Sequence, residues 1–126
     1  AIMMPIIPIE GWEDCYLAFT KRLLEAVPIR RLTLGGICIY RSARDLMERK
    51  MGMRNAVSQH IGRASPVAGD GRARYSRNLR HEVYSLIIAS ARRIRSDLEL
   101  ALCLEEEALW ESTGLGGSMG RCNCRL

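Results

Sequence analysis

Three groups of side chains in this chain have types and spacing that could do chemistry. Arg72, Arg74, Tyr75 and Arg77 fall within six residues, and alternating guanidiniums beside an aromatic ring suit phosphate contact combined with base stacking. Cys122-x-Cys124 is the tight cysteine pair; two thiolates can contribute to a metal or cluster site, which usually needs about four ligands. Cys103, His60 or His81 could complete such a set only through tertiary proximity. Gly35-Gly36 would either let a ligand or cofactor approach the backbone closely or permit a bulge. Each group also has a plainer reading: a solvated loop, free thiols in a tail, a glycine-bearing strand. There is no Walker-type phosphate loop, dinucleotide fingerprint or Ser/His/Asp order, nor any carboxylate pair at persuasive spacing. Motifs alone assemble no complete active site.

Charge is distributed unevenly along the 126 residues. Residues 1–40 are balanced, whereas residues 41–95 carry thirteen basic side chains against four acidic ones, net +9. Residues 96–126 return to net −4. Only two of the nineteen basic residues are Lys, a bias that genome composition explains. Composition does not explain the clustering, and a concentrated Arg segment suits a polyanion such as DNA.

The elements that must position these groups follow from periodicity. Residues 2–7 are a short apolar strand that breaks at Pro8 and passes through Glu10-Gly11 into a helix over 12–27. Trp12, Tyr16, Phe19, Leu23 and Val27 share one face of that helix, and Pro28 stops it. In α/β folds ligands sit where strand C-termini meet the following loops, which places Glu10 and Trp12 at the functional edge. Residues 31–40 form a second strand containing Gly35-Gly36. Ser42, with Asp45 three residues on, caps a short charged helix running to about Lys50. Residues 51–78 are irregular, with a helical turn around 55–61. Asp70-Gly71 is a turn flanked by Val67-Ala68 and 72–75, from which Arg72, Arg74 and Tyr75 project. A helix follows over 79–95, with Leu79, Val83, Leu86, Ile87, Ser90, Ala91 and Ile94 inward and Arg80, His81, Tyr84, Arg92 and Arg93 on its other side. Residues 98–104 make the third strand, 105–112 a short helix with an acidic start, and 114–126 a glycine- and cysteine-containing tail.

The expected fold is α/β: about three parallel strands with outer helices, joined by right-handed crossovers. The single domain divides into a βα unit and strand (1–40), a helix and basic loop (41–78), a helix-strand-helix (79–112) and the tail (113–126). Three strands are too few for a closed barrel. The chain also opens inside a strand without an initiating Met, cap or leader, so it reads as a fragment whose upstream half is missing. No run of about 18 apolar residues occurs, so no membrane span is expected. Five scattered cysteines do not resemble a secreted disulfide framework, which favours a reducing cytoplasm. Cys15 and Cys38 read as packing residues.

Several stretches together resemble the C-terminal half of the spore photoproduct lyase family. They are 5–14 (PIIPIEGWED), 32–36 (LTLGG), 70–75 (DGRARY), 79–84 (LRHEVY), Cys103-Leu104-Glu105-Glu106, Trp110, Gly114-Leu115 and Cys122-Asn123-Cys124. The order and spacing of these stretches cover nearly the whole chain. The family comprises radical S-adenosylmethionine (SAM) enzymes. The resemblance implies the C-terminal part of a partial TIM-type (βα)6 barrel, with DNA as partner. It also implies a 4Fe–4S cluster on an upstream CxxxCxxC loop that cleaves SAM to a 5′-deoxyadenosyl radical, which abstracts hydrogen from a thymine-dimer lesion. That cysteine motif is absent from this chain, so the chain alone is expected to be inactive. Asn78, where a proline often starts the helix, and Gly36, where a bulkier residue is common, depart from the pattern. Two alternatives stand beside it: a non-enzymatic nucleic-acid-binding module, and a radical SAM enzyme with a non-DNA substrate.

Overall fold

A parallel three-stranded sheet carries the structure, a computed structural model that describes residues 1–61 and 70–123. The elements are β1 (Ile2–Ile6), α1 (Trp12–Ala26), β2 (Arg31–Gly36), β3 (Cys38–Tyr40), α2 (Arg41–Met51), β4 (Arg72–Arg74), α3 (Arg77–Ile94), β5 (Glu99–Leu102) and α4 (Glu107–Ser112), then a 3-10 turn at Gly116–Ser118. The strand order is β1-β2-β5, with both pairings parallel. The two crossovers step in the same direction, and right-handed connections of that kind put their helices on the same face. Accordingly, α1 packs against α3. Leu32, Leu34, Leu100 and Leu102 of the sheet are buried with Trp12, Leu24, Val83, Tyr84, Ile87, Ile88 and Ala91 of the helices. The expected mixed α/β architecture with three parallel strands is therefore present.

Four local expectations are corrected. The strand expected over 31–40 is two strands: β2 ends at Gly36, and β3 leaves the parallel sheet to pair antiparallel with β4. The break falls after the glycine pair, where the Gly36 N–H donates to the Tyr84 hydroxyl at 2.6 Å. Of the segments flanking the expected Asp70-Gly71 turn, Val67-Ala68 lies outside the described residues. The partner of β4 is β3, with Cys38 opposite Arg74 and Tyr40 opposite Arg72. Ser42 does not cap α2, which starts two residues earlier than that cap implies, with Tyr40 at the cap position and no side-chain cap bond. The inward faces of α1 and α3 are rotated from those expected. In α1 the buried residues are Trp12, Thr20 and Leu24, while Phe19 and Val27 are exposed. In α3 Arg80 and Tyr84, expected on the polar side, are buried.

The bulge that the glycine pair allows is found on the opposing strand. Met3 pairs with Leu34 and Ile6 with Gly36, so β1 spends one extra residue across Met4-Pro5, a cis peptide bond. On the face of the sheet away from the helices, Thr33 and Ala101 lie side by side, because residues alternate between faces along a strand. The C-terminal segment covers this side: the Asn123 N–H donates to Thr33 Oγ1 at 3.2 Å, and its side-chain amide donates to the Ala1 carbonyl at 2.9 Å.

Candidate functional site

The C-terminal edge of a parallel sheet gathers the loops that follow its strands, and ligand sites concentrate there. In this chain that edge is built from Gly36 at the end of β2, residues 103–106 after β5 and the first turns of α3. Ser76 caps α3, its hydroxyl accepting from the Leu79 N–H at 3.3 Å. With the helix start held, Arg80 and Tyr84 sit one turn apart on the face that meets the sheet edge.

A continuous polar network results. The Tyr84 hydroxyl accepts from the Gly36 N–H and donates to Glu105 Oε1 at 2.7 Å. Arg80 pairs with Glu105 Oε2, donates to Glu106 Oε1 at 3.0 Å, and donates through Nε to the Tyr75 carbonyl at 2.9 Å. The side chains of Arg80 and Glu105 are 9% and 3% exposed, so this ion pair is inside the protein. Burial pushes the Glu105 carboxyl above the ordinary glutamate range, against the pull of Arg80 and of the Tyr84 hydroxyl. Burial, with Glu105 alongside, pushes the Tyr84 phenol far above its usual value. Leu104, next to this carboxylate, has φ 56°, a left-handed conformation that a bulky residue seldom adopts and that recurs at functional loops.

The residues expected to face a nucleic acid lie beside this network but are differently occupied. Arg74 holds Asp70 through two bonds, at 2.5 and 3.0 Å, and donates to the Leu104 carbonyl at 3.2 Å. Arg77 makes a forked pair with Glu106 at 3.0 and 3.1 Å. Arg72 donates to the Tyr40 hydroxyl at 2.9 Å, with its guanidinium carbon 4.8 Å from the Tyr40 ring centroid. Tyr75 does not project: it is 3% exposed, packs with Ile61 and Ala73, and its hydroxyl has no hydrogen-bond partner among the described residues. An aromatic in that position has no exposed ring face for stacking. The correction follows from alternation along β4, which turns Ala73 and Tyr75 inward while Arg72 and Arg74 reach the rim.

The remaining candidates separate. A Cβ at Gly35 would lie 2.9 Å from the Met4 sulfur, and one at Gly36 would lie 3.1 Å from the Tyr84 hydroxyl. Protein atoms thus fill the space that a cofactor would need beside the glycine pair. Glu10 is exposed, whereas Trp12 is a core residue. Cys122 is buried and disulfide-bonded, a form in which its sulfur is no thiolate ligand; Cys124 lies outside the described residues. His81 stands beside the Ser112 carbonyl at 3.2 Å, remote in sequence from any cysteine. Among the described residues no group of three or more His, Cys, Asp or Glu could hold a metal ion. Among the described residues no helix is long and apolar enough to cross a membrane.

Motif reading missed Arg80, Tyr84, Glu105 and Glu106 as site residues. A signal existed: Arg80, Tyr84, Ile87, Ile88 and Ala91 keep helical spacing as well as the face chosen from apolar residues alone. No family model matches the chain, and neither a curated protein nor a solved structure matches it significantly.

Proposed function

We propose that this chain is the C-terminal portion of a radical SAM protein resembling spore photoproduct lyase, with DNA as its substrate. One observation carries the reading. The stretches on which the resemblance rests, around Gly36, 70–75, 79–84 and 103–106, are far apart in sequence yet meet in one hydrogen-bonded network at the sheet's C-terminal edge. The strand order, with both crossover helices on one face, also suits part of a (βα)6 barrel. In this reading the 4Fe–4S cluster and SAM belong to the upstream part of the same polypeptide, which supplies the radical chemistry. Residues 103–106 and the start of α3 then shape the rim of the barrel mouth. The test is the full-length parent: its upstream sequence should contain CxxxCxxC, and the anaerobically reconstituted protein should release 5′-deoxyadenosine from SAM. An upstream sequence without that motif sinks the proposal.

A second reading, a non-enzymatic nucleic-acid-binding module, is favoured by the C-terminal segment. Residues 121–123 lie against the sheet face that a barrel would turn to its interior, with Cys122 buried there. A chain that folds alone, binds DNA and has no upstream partner would fit that reading.

A further inference from the structure

We propose that the phosphate-contacting surface of this protein is α2 and the turn after it, through Arg41, Arg49, Lys50 and Arg54, rather than the arginine-rich loop at 72–77. The inference rests on the DNA-binding part of the function proposed above and names the surface responsible. Its first support is the occupancy of the loop. Arg74 and Arg77 are committed to Asp70 and Glu106, and Arg72 to Tyr40. A phosphate would have to displace those partners before gaining anything from the same guanidiniums.

The second support is the state of α2. It buries none of its residues, so the helix stands on the surface rather than serving the core. Within it Arg44 is neutralised by Glu48 at 2.8 Å and also donates to the Ile61 carbonyl, which ties the helix down. Arg41, Arg49, Lys50 and Arg54 are exposed and make no ion pair among the described residues. Of the two acidic residues between Arg41 and Arg49, Glu48 is paired with Arg44 and Asp45 is exposed, which leaves the exposed set with three excess positive charges. A helical rise of about 1.5 Å per residue separates Arg41 from Arg49 by roughly 12 Å, a span of several phosphates along one strand.

Position completes the argument. The chain leaves β2 at Gly36, forms β3 and enters α2, so the helix belongs to the same C-terminal edge as the Tyr84–Glu105–Arg80 network. Arg92 and Arg93, the other exposed arginine pair, sit in the last turn of α3 at the far end of the sheet. A backbone held on α2 is therefore next to the site edge, and one held on Arg92 and Arg93 is not. Excess cationic charge of this kind recognises phosphates without reading base sequence.

The experiment is fluorescence anisotropy with labelled single- and double-stranded DNA of mixed sequence over a salt series. It compares the wild-type chain with R49A/K50A, R41A/R54A and R77A. Each lost duplex contact lowers the log–log salt slope by about 0.9, or roughly 3.5-fold in affinity between 50 and 200 mM salt. Each α2 double variant should therefore lessen the affinity lost over that range by about tenfold, while R77A leaves the slope unchanged. Circular dichroism spectra matching wild type would confirm that the variants are folded. Unchanged binding by both α2 variants overturns the proposal, and so does a slope change produced by R77A instead. Equal competition by polyglutamate would overturn the nucleic-acid assignment in favour of an acidic polypeptide. Absence of DNA binding by the wild-type chain at low salt would count against the DNA function itself, an outcome distinct from binding that ignores α2.

Discussion

Tyr84 is the residue on which the site edge depends. Its hydroxyl is the acceptor for the Gly36 N–H and a donor to Glu105, and the side chain is fully buried. Tyr84→Phe keeps the ring and leaves both partners short of a bond in a place water does not reach. The expected cost is about 1–3 kcal/mol, read as a lower urea midpoint with unchanged slope. Asp70 makes a separate prediction about pH. The Arg74 guanidinium, hydrogen-bonded to it, holds the Asp70 carboxyl at about 2, below its ordinary 3.8. A carboxyl lowered on folding stabilises the protein above its unfolded value, and that contribution is lost as pH falls through the folded value. Asp70→Asn should therefore be less stable than wild type above pH 3.8, with the gap closing as pH approaches about 2. Chemical denaturation across that window reads it directly; a gap constant with pH would show that charge at Asp70 contributes nothing.

At the scale of elements, the glycine pair at the end of β2 shows two different reasons for lacking a side chain. Gly36 faces Tyr84, whose hydroxyl is fixed by two bonds and cannot retreat without breaking them. Gly35 faces the end of Met4, a flexible side chain that is 38% exposed and able to swing outward. Gly36→Ala should cost about 1–3 kcal/mol and Gly35→Ala clearly less, although the clash at Gly35 is the shorter one. Thermal unfolding of the two variants, scanned side by side, decides it. The same element logic explains α3. Its start is set by the Ser76 cap, and its rotation is set by Arg80 and Tyr84 reaching partners on the β5–α4 loop.

At the scale of the whole molecule, β2 is paired on both sides while β1 and β5 each have one strand neighbour among the described residues. Backbone hydrogen bonds that open only with the whole domain exchange most slowly. The amides of Leu32, Thr33 and Leu34 should therefore be the last to exchange in deuterium, ahead of which those of β1 and the short two-stranded β3–β4 ladder should go. Equal protection across β1 and β2 would mean that the β1 edge is covered in solution.

Much of this architecture is legible in the amino-acid order because it depends on local rules. Runs at 2–7, 31–40 and 98–104, separated by helical periods and by the stop at Pro28, suffice for a parallel α/β sheet with its helices, although not for the end of β2 at Gly36. The net +9 segment is likewise a property of composition alone. What only the tertiary structure decided is which polar groups are shielded from water and which are not. Arg80, Tyr84 and Glu105 look like surface residues one at a time, because burial of a charge is tolerable only with a partner, and their partners lie 21–25 residues away. Tyr75 looks like a projecting aromatic until β4 pairs with β3, 32–36 residues distant, and turns it inward. Ion pairs occupy Arg74 and Arg77, and Tyr40 occupies Arg72, while Arg41 and Arg49 of α2 stay exposed; such pairing is a matter of distance in space, which residue order does not contain.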